Sequence, residues 1–289
     1  MKIKKAVFPV AGFGTRFLPA TKSTPKEMLP VVDKPLIQYA VEEAAEIGVK
    51  EFIFITHHAK SSIDQHFKKN ESLFNMLINQ GKEDLANSIK DIGGTDAKFI
   101  SIDQGDPKGL GHAIGCAENS IDDDEYFAVI LADDLIFNKG NNVLKQMKEA
   151  AMKTNKQVLA LEKVNQEDIS KFGVISTKST NERISYLDDI VEKPDADKAP
   201  SNLAVVGRYI FNKSIFSYID EHNAGKNNEI QITDAIQKDI DNFIGYEFEG
   251  ERFDCGSKVG YLKANVFLGL ENEELREELQ IYLRGIKNL

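Results

Sequence analysis

The sequence predicts an α/β fold: a mixed, mainly parallel sheet flanked by helices and continued by a strand-rich portion. Three observations carry this expectation. Apolar strand-like runs alternate with helical patterns as far as Lys156, and from Gln157 the chain turns to strand after strand. The 289 residues, 42% hydrophobic and 28% charged, also provide ample material for a large core.

The elements follow in order. "KKAVFPV" reads as the first strand, and "PLIQYAVEEAAEIG" has helical spacing, with Pro35 near its start and Gly48 past its last turn. "EFIFIT" is a strand, "SSIDQHFKKN" a helix, and Glu71 to Lys90 a helical insert. "AKFISID" is the next strand, "GLGHAIGCAENS" opens a helix at its glycines, and "YFAVILADD" is a strand ending in two aspartates. Strand character then dominates in "QVLALEKV", "FGVIST", "RISYLDDIVEK" and "LAVVGRYIF", which reads as mixed or antiparallel sheet added to the same core. "EIQITDAIQKDI" returns to helix, followed by "GYEFEG", "RFDCGS" and a helical tail from Val259. "EKPDADKAPSN" is the clearest loop, and it is too short to divide the chain into independent domains.

Composition excludes several classes. The formal charge of −10 argues against a nucleic-acid binder, whose footprint is basic. Cys116 and Cys255 are too few for a disulfide framework and lack metal-site spacing, which points to a reducing cytoplasm. No apolar stretch approaches the roughly 20 residues a membrane span requires, and "MKIKKAVFPVAGFG" is too briefly apolar for an export signal.

The segment "AVFPVAGFGTRFLPATKSTPKEMLP" carries the first chemistry. Gly12 and Gly14 follow a strand, but Phe17 stands where a dinucleotide fingerprint needs its third glycine. Pro19 and Pro25 favour an extended chain, and no G-K-[ST] completes a phosphate loop of the Walker kind. Backbone N–H groups freed by the glycines, with the cluster Arg16, Lys22 and Lys26, nevertheless suit a small anion. A tight turn with solvated basic residues is the bland alternative. Asp133 and Asp134, at the carboxyl end of an apolar strand, suit a hard cation or simply a solvated strand end.

The longer string "AGFGTRFLPATKSTPKEMLPVVDKPLIQY" resembles the nucleotide-sugar pyrophosphorylases, which share a G-x-G-T-R … P-K pattern. The likeness continues through "QGDPKGLGHA", "LADD", "FGVI", "VEKP", "APSNLAVVGRYIF", "EIQITDAI" and "FDCGSKVGY", in order from Ala6 to Tyr261. It is greatest to the bacterial members that use UTP and glucose 1-phosphate. The resemblance implies a Rossmann-like fold and a cytoplasmic nucleotidyltransferase that makes UDP-glucose and pyrophosphate with Mg²⁺. It implies a single domain over residues 1–289, with a nucleotide-binding half to about 156, a sugar-phosphate-binding half over about 157–258, and C-terminal helices over 259–289. Such relatives are commonly homodimers or homotetramers, and "VFLGLENEELREELQIYL" reads as core and oligomer contact.

By that resemblance, Arg16 and Lys26 meet the UTP phosphates and, with Asp133, are catalytic. The backbone at Ala11, Gly12, Gly14 and Thr15 lies beside the nucleotide. Gln104 and Gly105 face the uracil, and Gly109 admits base and ribose. Gly173, Glu192, Lys193, Val206 and Gly207, together with Asp133, take the sugar phosphate. Asp133 and Asp254 are the metal ligands; Ala132 stands where relatives often carry glycine or proline, and Asp134 is left without a role. Read alone, "EKP" is a charged loop. His57, His58 and His112 have no assigned task, and Cys255 reads as a packed small residue. The competing readings are a thymidylyl- or adenylyltransferase, an NAD(P)-dependent oxidoreductase, and a nucleotide-sugar sensor without turnover.

Overall fold

A computed structural model of the chain describes residues 1–57, 60–220 and 229–286, so His58 lies outside the described residues. β1 (Ile3–Pro9) leads through the basic loop to the short ribbon β2 (Pro30–Val31) and β3 (Lys34–Pro35), then α1 (Leu36–Glu46). β4 (Glu51–Thr56), α2 (Ser61–Phe67), α3 (Glu71–Asn79), α4 (Glu83–Ser88), β5 (Lys98–Asp103) and α5 (Leu110–Gly115) follow. Next come β6 (Tyr126–Ile130), β7 (Asp134–Phe137) and α6 (Val143–Thr154). The second half carries β8 (Gln157–Lys163), β9 (Gly173–Asn181), β10 (Ile184–Glu192), β11 (Leu203–Asn212) and α7 (Ile232–Lys238). It ends with β12 (Phe243–Glu247), β13 (Glu251–Asp254), α8 (Lys258–Glu271) and α9 (Arg276–Gly285).

Nine strands form one sheet in the order β5-β4-β1-β6-β11-β8-β12-β10-β9. Neighbours from β5 to β6 are parallel, as their helical crossovers require. Beyond β6 the sheet turns mixed, as expected of the strand-rich half, so the sheet as a whole is not mainly parallel. β11 runs antiparallel to both β6 and β8, and β10 antiparallel to both β12 and β9; only β8 with β12 is parallel. Successive residues alternate between the faces: Ala6, Phe8, Phe52 and Phe54 pack on one side, Val7, Ile53 and Ile55 on the other. α1 and α6 cover the first face, and α5 and α7 cover the second.

Three local expectations need correction. The basic loop is not extended: it winds through 3₁₀ turns at Thr15–Phe17, Ala20–Lys22 and Lys26–Met28. Pro19 and Pro25 immediately precede two of these turns, where a missing N–H costs nothing. The apolar strand ends at Ile130, and Asp134 opens the separate strand β7, paired with β13 so that Asp134 lies opposite Asp254. "EIQ" is not helical, since α7 begins at Ile232. In the C-terminal stripe Phe267 and Leu268 pack inward, whereas Leu262, Ile281 and Tyr282 are exposed.

Candidate active site

The carboxyl ends of β5, β4, β1 and β6 share one edge of the sheet, where parallel α/β folds gather ligands. The residues that follow these strands line that edge. Gln104 and Gly105 follow β5, His57 follows β4, Ala11 to Thr15 follow β1, and Asp133 lies just past β6. Their backbones are tied together: Val10 N donates to Ile55 O at 2.8 Å, and Gln104 N to Thr56 O at 2.9 Å. His57 lies edge-on to Phe13 of the glycine loop, with ring centroids 5.6 Å apart.

Gly14 has φ 62°, in the left-handed region, and its carbonyl accepts from Thr21 Oγ1 at 2.7 Å. That turn brings Arg16 across to Gly256, whose carbonyl it meets at 3.5 Å. Lys26 Nζ stands 2.6 Å from Asp133 Oδ2. Burial opposes the charge on both partners, but their mutual attraction prevails; Lys26 is held above the ordinary lysine value and Asp133 below the usual carboxylate range.

Asp133 and Asp254 converge although far apart in sequence. Cys255 N donates to Asp133 O at 2.8 Å, which draws the β13 turn onto the aspartate. A Cβ added to Gly256 would meet Asp133 Oδ2 at 2.8 Å, Asp254 Oδ1 at 3.0 Å and an Arg16 nitrogen at 3.6 Å. Two carboxylates and a guanidinium thus face one point. No group of three or more His, Cys, Asp and Glu is assembled for a metal among the described residues. Two oxygen donors beside a basic loop fit magnesium, which takes one or two carboxylates and completes its shell with phosphates and water.

From this point opens a cavity of about 300 Å³, reached by Arg16, Asp133, Gly173, Glu192, Lys193, Val206, Gly207 and Asp254. The structure therefore brings the residues expected for the sugar phosphate together with Arg16 and both aspartates. Ala11, Gly12, Gly14, Thr15, Gln104, Gly105 and Gly109 do not line this cavity; the loop residues and the pair after β5 follow the carboxyl ends of the parallel strands β1 and β5. Lys193 holds φ 45°, a strained value for a side-chain-bearing residue, with its N–H bonded to Phe172 O at 2.9 Å.

Several contributors escape a reading by motif. Asp134 Oδ2 accepts from Gly207 N at 2.9 Å, and Asp134 Oδ1 pairs with Arg252 Nε at 3.1 Å. Asp134 thus fixes the β11 backbone at the cavity wall. Arg252 lies two residues before Asp254 on β13, so strand alternation puts both on one face, a signal present in "RFD". Thr233 Oγ1 donates to Glu192 Oε2 at 3.1 Å while its methyl packs against Gly173. Burial, then the three neighbouring aspartates, push the Cys255 thiol up to about 12, so it is not a nucleophile.

A basic glycine loop at the carboxyl edge of the sheet, beside a carboxylate pair and a lysine-bearing cavity, is the arrangement of a nucleotide-handling α/β protein. The chain belongs to the nucleotidyl transferase family, whose pattern matches residues 5–270. It is 42% identical over 289 residues to the UTP–glucose-1-phosphate uridylyltransferase of Bacillus subtilis, covering 99% of this chain and 98% of that one. A UDP-glucose pyrophosphorylase solved with UDP-glucose superposes with a TM-score of 0.84 at 45% identity, covering 93% of this chain and all of the other (100%). The UTP-bound enzyme of Acinetobacter baumannii gives 0.89 at 40% identity, with coverage of 99% and 100%. No helix among the described residues is long and apolar enough to cross a membrane.

Proposed function

We propose that the protein transfers UMP from UTP to glucose 1-phosphate, yielding UDP-glucose and pyrophosphate, as a cytoplasmic, single-domain, Mg²⁺-dependent enzyme. The observation that carries this reading is the meeting of Arg16, Asp133 and Asp254 with Glu192, Lys193 and Gly173 around one cavity. The relatives named above provide the substrates by likeness.

A phosphate oxygen of glucose 1-phosphate attacks the α-phosphorus of UTP, and the bond to the β-phosphate breaks to release pyrophosphate. The attacking oxygen is already anionic at neutral pH, so no protein base has to remove a proton. What the chain contributes is positioning and charge neutralisation. Arg16 and Lys26 hold the UTP phosphates, with the backbone from Ala11 to Thr15 beside the nucleotide, while Gln104, Gly105 and Gly109 take base and ribose. Lys193 neutralises the sugar phosphate, and Glu192, oriented by Thr233, accepts from sugar hydroxyls beside Gly173, Val206 and Gly207. Asp133 and Asp254 would hold magnesium, which supplies neutralisation of the phosphate charge. The exposed apolar residues of α8 and α9 suit self-association as a homodimer or homotetramer.

The test is to combine protein, Mg²⁺ and UTP with individual sugar 1-phosphates and identify the product. UDP-glucose and pyrophosphate are expected, without a covalent intermediate. Isolation of uridylylated protein during turnover would overturn direct displacement, and preference for another sugar would overturn the substrate.

A further inference from the structure

Gln104, only 7% exposed, presents an amide that can offer either donors or an acceptor to a base. Its surroundings decide which. The amide nitrogen lies 3.4 Å from the carbonyl oxygen of Gly109 and 3.1 Å from Nδ1 of His112. A backbone carbonyl can only accept, so it is the NH₂ group that faces Gly109. The second hydrogen is then directed to Nδ1 of His112, which accepts in the tautomer protonated at Nε2. Both donors of the amide are consumed in this way, and among the described residues Oε1 has no hydrogen-bond partner.

The two acceptors are themselves held firmly. Gly109 adopts φ 108°, and a side chain there would strike Ile230 O at 2.7 Å. Gly111 N donates to Ile230 O at 2.8 Å, and Ile230 N to Lys108 O at 2.7 Å, so residues 108–111 are clamped to the extended segment before α7. His112 rides on the first turn of α5 directly after this clamp.

We propose that His112 is a positioning residue for base selection: it fixes the Gln104 amide so that the oxygen, not the nitrogen, meets the base. This rests on Gln104 facing the base, as in the function proposed above. An acceptor at that place selects a ring N–H. Uracil and thymine carry one at N3, whereas cytosine has a lone pair there and sets acceptor against acceptor. The arrangement excludes CTP and does not distinguish UTP from TTP, which must be separated elsewhere.

The experiment measures kcat/KM with UTP, CTP and TTP for the wild type, His112→Phe and Gln104→Ala, with KM for glucose 1-phosphate and Tm as controls. His112→Phe removes the acceptor and frees the amide to turn over. The UTP-to-CTP ratio should fall about tenfold or more, as expected when a site loses the polar partner that rejects the wrong edge. The UTP-to-TTP ratio, KM for glucose 1-phosphate and Tm should stay near their wild-type values. Gln104→Ala should also collapse the UTP-to-CTP ratio. If it does not, the uracil placement is wrong and the inference falls with it. A collapse in Gln104→Ala with an unchanged ratio in His112→Phe refutes the role of His112 alone. Should His112→Phe fail to fold, the wild-type enzyme decides with 3-methyl-UTP, which lacks the N3 hydrogen. Turnover as poor as that of CTP supports the amide orientation, and turnover equal to that of UTP overturns it.

Discussion

Replacing Lys60 by Met should cost far more than the loss of one surface charge. Lys60 lies beneath the basic loop, 8% exposed, with Nζ 2.9 Å from Glu27 Oε2 and also donating to Val10 O. Glu27 is 1% exposed, and its other oxygen has no partner among the described residues. The pair therefore ties the end of β1 to the turn that carries Lys26. Met fills most of the lysine stem but leaves the Glu27 carboxylate buried without its cation. Breaking a buried pair from one side costs about 3–5 kcal/mol, a large share of the roughly 5–15 kcal/mol that stabilises a domain. Burial already raises the Glu27 carboxyl above its ordinary value, with Lys60 the foremost opposing charge, so the variant raises it further. A carboxyl raised in the folded state binds its proton more tightly there. Its favourable contribution is present at low pH and is lost as pH climbs through the folded value. Urea denaturation should thus show a smaller deficit at about pH 5 than at about pH 8. Removing both charges, in Glu27→Met with Lys60→Met, should recover much of the loss. A deficit below about 1 kcal/mol, or one that grows toward acid pH, refutes the reasoning.

Arg16→Ala should depress kcat by about 10²-fold or more with a smaller effect on substrate binding, because charge shifts most at the transferring phosphorus; unchanged turnover in steady-state assays would return Arg16 to the role of a solvated loop residue. Asp254→Asn should raise the Mg²⁺ concentration needed for half-maximal activity and lower turnover, with Tm unchanged or slightly higher, since it removes one of two carboxylates held close together. Full activity of that variant at ordinary Mg²⁺ would remove Asp254 from the metal site.

Elements were legible in the sequence where one local period governed them. The apolar runs of β1, β4 and β6 and the i, i+3, i+4 spacing of α1 mark their own type, because burial on two faces or on one stripe leaves that trace. Strand direction is legible only through the connections between strands, not within a strand itself. β8 is buried almost throughout while pairing antiparallel with β11 on one side and parallel with β12 on the other, and the run "QVLALEK" reads alike in either case. The same limit governs the site. Arg16, Lys26, Asp133, Glu192 and Lys193 stand out by residue type within motifs, since anions and hydroxyls call for charge. Their supports do not. Thr233 is an ordinary helix residue until it reaches Glu192, 41 positions away, and His112 is a bystander until its ring meets Gln104. Asp134 reads as a duplicate of Asp133, yet the short β7–β13 ribbon turns the two carboxylates to different work: one toward Lys26, the other toward Arg252 and the backbone of Gly207. Adjacent aspartates can serve separate purposes because consecutive side chains diverge as a strand begins. A motif can therefore name the pair without revealing which member faces the chemistry, and only the partner strand, about 120 residues downstream, resolves it.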